Sequence, residues 1–238
     1  MKWSDITLSQ FQLINSINES KDFDEMDKLL YTTGAIFDFT ENQMVDMGAE
    51  KVKKYIAKTT YLFEHPFQKR PYKRIGKYFL EYNIERLRFG QFVEITYFVQ
   101  GDVLDNAQSI LASVSHLPFL KNNSDNHRKI SDYYLSKSVV QTMGSLSCLL
   151  ENYTEFNKEY SGLFELDEEG EDVEVKKDGF NETYGWIYSA TQVAEHERIT
   201  LEQAFDLPVR QALNDLSYLK AKRQYDENQI KKHGAINN

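Results

Sequence analysis

Apolar side chains recur at three- and four-residue steps through most of this chain, and the phrase that precedes several of these runs is the same. Thr-x-x-Gln stands at 7–10, 40–43 and 200–203. This is the spelling of a capping box: the threonine hydroxyl accepts from a first-turn amide, and the glutamine reaches back to the threonine N–H. Ile6 and Phe11 flank the first box, and Phe39 and Met44 the second, at the spacing of a hydrophobic staple. The third has Ile199 before it but only Ala204 after it.

These starts organise the rest. A first helix is predicted over 8–18, with Phe11, Ile14 and Ile17 on one face. Asp22-Phe-Asp-Glu25 resembles a further box and opens a helix carrying Met26, Leu29 and Leu30. A short turn runs from Thr40 to Gly48. A helix then covers 49–63, with Val52, Ile56, Thr59 and Phe63 aligned and four lysines on other faces. In "HPFQKRPYKRIGKYFLEYN" two prolines bar a helix, and Tyr72–Ile75 and Tyr78–Tyr82 read as a hairpin around Gly76. Helix returns in "RFGQFVEITYFVQG", with Gly101 as its C′ glycine, and again over 104–115 ahead of Pro118.

Residues 121–128, "KNNSDNHR", read as a polar loop. Ser131 then caps one long helix to about Tyr160, with Val139, Met143, Leu146 and Leu149 along its core face. Cys148 falls among these residues as a small buried hydrophobe, and Gly144 weakens the middle by roughly 1 kcal/mol relative to alanine. "NETYGWIYSATQVAEHE" is helical, Thr200 restarts the chain, and Pro208 opens a last helix that projects as a polar end beyond Leu219. The pattern therefore predicts a mostly α chain. A helical body over 1–164 holds a small hairpin near 72–82, an acidic flexible loop covers 165–179, and C-terminal helices with a basic tail occupy 180–238.

Composition changes this picture little. The 238 residues are 41% hydrophobic and 27% charged, as in a soluble globular protein with a real core. No apolar run reaches the roughly 20 residues needed to cross a bilayer, the N-terminus has no secretory h-region, and a lone cysteine suits a reducing cytoplasm. Charge is more informative, because the net −9 is segregated. Residues 1–50 hold ten acids against three lysines, residues 51–88 eleven bases against three acids, and residues 165–178 eight acids against two lysines. The basic stretch, laced with tyrosines, has the composition of a nucleic-acid footprint. It also serves to neutralise the acidic N-terminal segment, and the acidic pI near 5.2 works against phosphate binding.

Chemical motifs are missing. No two of the five histidines stand at i, i+3 or i, i+4, and His196-Glu197 lacks the second histidine of a metal helix, so neither metal nor cofactor is predicted. No glycine-rich phosphate loop and no Gly-x-Ser-x-Gly is present, and "DEEGEDVEVKKD" has the wrong glycine place for a calcium loop. The expectation is a protein that binds and has no catalytic residues.

Two stretches carry a resemblance. The first is "YKRIGKYFLEYNIERLRFGQFVEITYFVQGDVLDNAQSILASV", a hairpin followed by two helices. The second is "YGWIYSATQVAEHERITLEQAFDLPVRQALNDLSYLKAKRQYDENQIKK", a tryptophan-bearing helix, a capped turn and a final helix with a basic end. This order resembles tail-assembly-chaperone-type proteins of tailed bacteriophages. The resemblance implies a non-catalytic chaperone, in the cytoplasm of the infected bacterium, that shields an apolar helical tape-measure-like client and recruits tail tube subunits. On that reading Trp186, Tyr188, Phe205, Leu213 and Tyr218 are the client-binding residues. Lys220, Lys222, Arg223, Tyr225, Lys231 and Lys232 contact tail subunits. A homo-oligomer is compatible with it, and a membrane partner is not expected. The alternatives are a structural virion component (hub, baseplate or connector) and, third, a nucleic-acid-binding module.

Overall fold

The computed structural model describes residues 1–64, 69–117, 124–164 and 179–236. The first half holds α1 (Leu8–Glu19), α2 (Glu25–Phe37), α3 (Glu41–Met47), α4 (Ala49–Glu64), α5 (Phe89–Gln100) and α6 (Ala107–Ser113). The second half holds α7 (Ser124–Leu135), α8 (Val139–Glu159), α9 (Ser161–Phe164), α10 (Gly179–Glu197), α11 (Leu201–Asp206) and α12 (Val209–Ile236). One-turn 3-10 helices stand at Trp3–Asp5 and Ile84–Arg86. Strands β1 (Arg74–Ile75), β2 (Tyr78–Leu80) and β3 (Ser115–His116) make one antiparallel sheet in the order β1-β2-β3. The mostly α class with a small hairpin is what the sequence predicts.

All three threonine boxes form. The amides of Thr7, Thr40 and Thr200 donate to the Oε1 of Gln10, Gln43 and Gln203 at 3.0, 2.9 and 3.0 Å, and each threonine hydroxyl accepts from the glutamine amide. The fourth box is displaced, since Asp24 caps α2 by accepting from Asp27 N–H at 2.8 Å. The buried face of α4 includes Thr59 and Leu62, with Phe63 turned outward. Gly101 ends α5 without a left-handed conformation; instead it leaves room for Asn106, whose amide donates to Phe98 O at 3.1 Å.

The hairpin turns at Gly76-Lys77, where only the glycine has positive φ (59°), as a type II′ turn requires. The third strand comes from the end of the predicted 104–115 helix, which stops at Ser113 so that Leu80 pairs with Ser115 and Phe79 with His116. The predicted 131–160 helix is two helices. Ser131 lies inside α7, which also absorbs 124–128 of the expected polar loop. The acidic segment 165–178 lies outside the described residues, as does His65–Gln68, and Gly179 opens α10.

The chain divides into two compact units, Met1–Tyr82 with Tyr97–Leu150, and Asn83–Thr96 with Glu151–Asn238. The predicted 1–164 body does not coincide with either. In the first unit Trp3, Ile6, Ile14, Ile36, Leu62 and Val139 form a buried cluster. In the second, Phe92 packs against Tyr153, Phe156 and Trp186 at centroid distances of 5.7, 5.9 and 5.9 Å.

Both units are closed by the same device. In the first, Leu8 N–H donates to Lys137 O and Val139 N–H to Ile6 O, each at 2.8 Å. In the second, Phe89 N–H donates to Leu207 O at 2.8 Å and Val209 N–H to Leu87 O at 3.0 Å. Each brace follows a 3-10 turn and begins a helix whose glutamine (Gln10 or Gln91) accepts from the amide at the bridge. The sequences agree: Ile6-Thr-Leu-Ser-Gln-Phe11 against Leu87-Arg-Phe-Gly-Gln-Phe92. Beyond the brace, Ser138-Val-Val-Gln-Thr-Met143 matches Pro208-Val-Arg-Gln-Ala-Leu213. Leu8, Val139, Phe89 and Val209 are all completely buried. The same brace geometry thus occurs twice among the described residues.

Candidate polypeptide-binding trough

In the first unit the brace sets α1 against α2. Gln10 accepts from Thr7 N–H through Oε1, while its Nε2 donates to the carbonyls of Ala35 and Ile36 at 3.1 and 3.3 Å. The start of α1 thereby caps the end of α2, and the two helices run antiparallel. Asp38 then takes a left-handed φ of 59°, turning the chain so that Phe39 N–H reaches Gly34 O at 2.9 Å and Thr40 can open α3. Behind this turn Phe37 and Phe39 stack at 5.9 Å, and both meet the ring of Tyr55 edge-on.

The result is an open trough along α2. One part, about 690 Å³, is lined by Leu13, Ile17, Phe23, Tyr31, Ala35 and Phe39 together with small polar residues of α1. A second part, about 270 Å³, shares Tyr31, Gly34 and Phe39 with it and adds Met44, Val45 and Val52. Gly34 lies where a Cβ would come within 3.1 Å of Phe39 O and 3.4 Å of Met44 Sδ, so the floor is as low as the backbone allows. Leu13 and Val45 are 50% and 75% exposed. The charged lining residues described are Asp27, Asp38 and Glu41, all acids; α4, which carries the lysines, contributes only Val52. An exposed apolar channel bordered by polar residues is the form taken by helix-in-groove sites. The sequence reading missed it, because Leu13 and Val45 break the periodic face on which their own helices pack.

The residues expected to hold a client sit elsewhere and separate into three groups. Leu213 is completely buried at the second brace and therefore cannot meet a partner, which corrects that expectation. Trp186 and Phe205 are half-buried against Phe89, Trp186 edge-on at 5.9 Å and Phe205 stacked at 6.0 Å. Tyr188 and Tyr218 are exposed. Among the tail residues, Lys220 donates to Gly162 O at 3.0 Å and Lys222 pairs with Asp226 at 2.7 Å. Arg223, Tyr225, Lys231 and Lys232 are exposed.

Two other constellations have chemical potential. His196, Glu197 and Asp215 bring one imidazole and two carboxylates within 4.8 Å of one another, the donor set of a divalent cation. Asp215 supplies the third member that sequence spacing did not show. Burial, and then Glu197, raise the Asp215 carboxyl above its usual range against the opposing effect of His196. Its Oδ2 has no hydrogen-bond partner among the described residues. Ser113 Oγ stands 3.2 Å from His127 Nε2, a nucleophile-to-base distance. The serine is completely buried and donates to Ser109 O at 3.1 Å, and the imidazole lies flat on Phe98, so this pair holds α6 to α7.

No family model, no curated protein and no solved structure matches the chain.

Proposed function

We propose that this chain is a non-catalytic assembly protein of the tail-assembly-chaperone type, which shields an apolar helical segment of a tape-measure-like client. The observation that carries the reading is the trough along α2. Leu13, Tyr31 and Val45 stand open to solvent in a channel whose shape suits an amphipathic helix. A long apolar helical client aggregates unless its surface is covered before assembly, and a channel of this kind covers it without covalent chemistry.

Co-expression with the tape-measure protein of the same phage tests this. Wild-type chain is expected to raise the soluble fraction of that protein and to co-elute with it. Leu13→Asp together with Val45→Asp, both at exposed positions, should abolish the effect while the melting temperature stays close to that of the parent. No gain in solubility with wild-type chain would remove the reading. Mass spectrometry of purified particles separates it from the virion-component alternative, because a chaperone is absent from the finished particle.

A further inference from the structure

We propose that, before a client arrives, the trough of one molecule receives the C-terminal helix of a second copy of this chain; the proposal rests on the reading of the trough as a helix-binding site. The trough is bordered by Asp27, Asp38 and Glu41 with no described basic residue in its lining. The segment Lys220–Lys232 of α12 has five bases against two acids. Within it, Tyr218, Lys222, Tyr225, Gln229 and Lys232 follow one another at steps of four, three, four and three. That spacing puts two tyrosines and two lysines on a single helix face. An apolar channel with an acidic border meets an aromatic stripe with basic flanks, so shape and charge agree.

Each surface, taken within its own unit, keeps exposed side chains, and the Tyr218 ring also lies 5.6 Å from the His196 ring. Tyr218 and Tyr225 are 55% and 62% exposed, while Leu13 and Val45 are exposed on the trough side. Lys222, paired with Asp226 in the free chain, exchanges that exposed partner for the trough acids. A contact between two different patches is heterologous, so it propagates as a ring or a short filament and does not stop at a symmetric pair. It also covers the apolar channel until a client helix displaces the tail.

Sedimentation velocity and light scattering of the full chain test this across concentration and salt. The expected result is a mass at least twice the 27.9 kDa of one chain, falling toward that value as salt is raised. Asp27→Lys/Glu41→Lys and, separately, Lys222→Glu/Arg223→Glu should each give a monomer, with circular dichroism unchanged. Neither altered chain can supply both matched halves, so a chain carrying all four substitutions should associate again. A wild-type chain that stays monomeric at all concentrations overturns the proposal. So does association that neither pair of substitutions weakens, or that the fourfold variant fails to recover. A monomeric wild type that still solubilises the client in a Leu13-dependent way would sink the tail contact alone. Self-association without any effect on the client would sink the chaperone reading and leave the tail contact standing.

Discussion

Thr7 reaches its partner Gln10 within one turn, and interactions of that range are the ones a linear sequence displays. Thr7→Ala removes a cap whose glutamine also ties α1 to the carbonyls of Ala35 and Ile36, so a loss of about 1 kcal/mol or slightly more is expected in urea unfolding. Ser138 is the opposite case. Its role depends on a bridge to Thr7 that lies 131 positions away, and no local pattern announces it. The second unit has Pro208 at the equivalent bridge position, and the bridge bonds there use the neighbours' N–H and C=O groups. The Ser138 hydroxyl is buried with no partner among the described residues. Ser138→Pro is therefore expected to raise stability, by roughly 0.5–1 kcal/mol, through a stiffer unfolded chain. Thermal melts would show it, and a lower midpoint would mean that the two braces differ in backbone. Asp215 gives a pH signature. Burial and Glu197 raise its folded pKa, so its contribution to stability is complete below the ordinary carboxylate pKa near 4 and is lost as pH rises through the folded value. Asp215→Asn should melt above the parent at pH 7, and calorimetry should show the gap closing as pH falls below about 4; a gap independent of pH would contradict this.

At the scale of elements, helices with strong local caps were legible and interruptions imposed from a distance were not. The apolar periodicity from Ser131 to Tyr160 is real, but the bonds from Leu8 to Lys137 and from Val139 to Ile6 draw Ser138 into a bridge with Thr7 and split the run into α7 and α8. The same reasoning covers β3, two residues long, which exists because β2 offers it a partner. It also covers the trough, which arises from how α1, α2 and α3 meet. Propensity marks Gly144 as a weak point in α8, whereas packing makes it a requirement. A Cβ there would lie 2.2 Å from Arg70 O and 2.7 Å from Arg70 N, both backbone atoms that cannot turn aside. Gly144→Ala should therefore destabilise by at least 1–3 kcal/mol, where helix propensity alone would have it gain about 1 kcal/mol. The sign of the change in denaturant midpoint decides between propensity and packing.

For the molecule as a whole, the question raised by the charge pattern is whether the basic stretch 51–88 forms a surface for phosphates. Sequence counts eleven bases there, but counting does not say what each cation faces. Lys58 lies over the ring of Tyr55, Arg74 over Phe79, and Lys77 near both Tyr78 and Tyr133. Lys53 pairs with Glu50, and Arg88 with Asp206 at 2.7 Å. Exposed pairs and ring contacts of this kind are weak one by one, yet each must be given up before the cation can serve a phosphate. Nucleic-acid affinity grows with the number of phosphates neutralised together, and a chain of net −9 repels the rest of the polyanion. Double-stranded DNA is accordingly expected to show no electrophoretic shift with this protein even at low salt. A shift whose affinity fell linearly with the logarithm of salt would reverse that expectation. It would also return the basic stretch to candidacy as a binding surface, because such a slope counts the phosphates neutralised together.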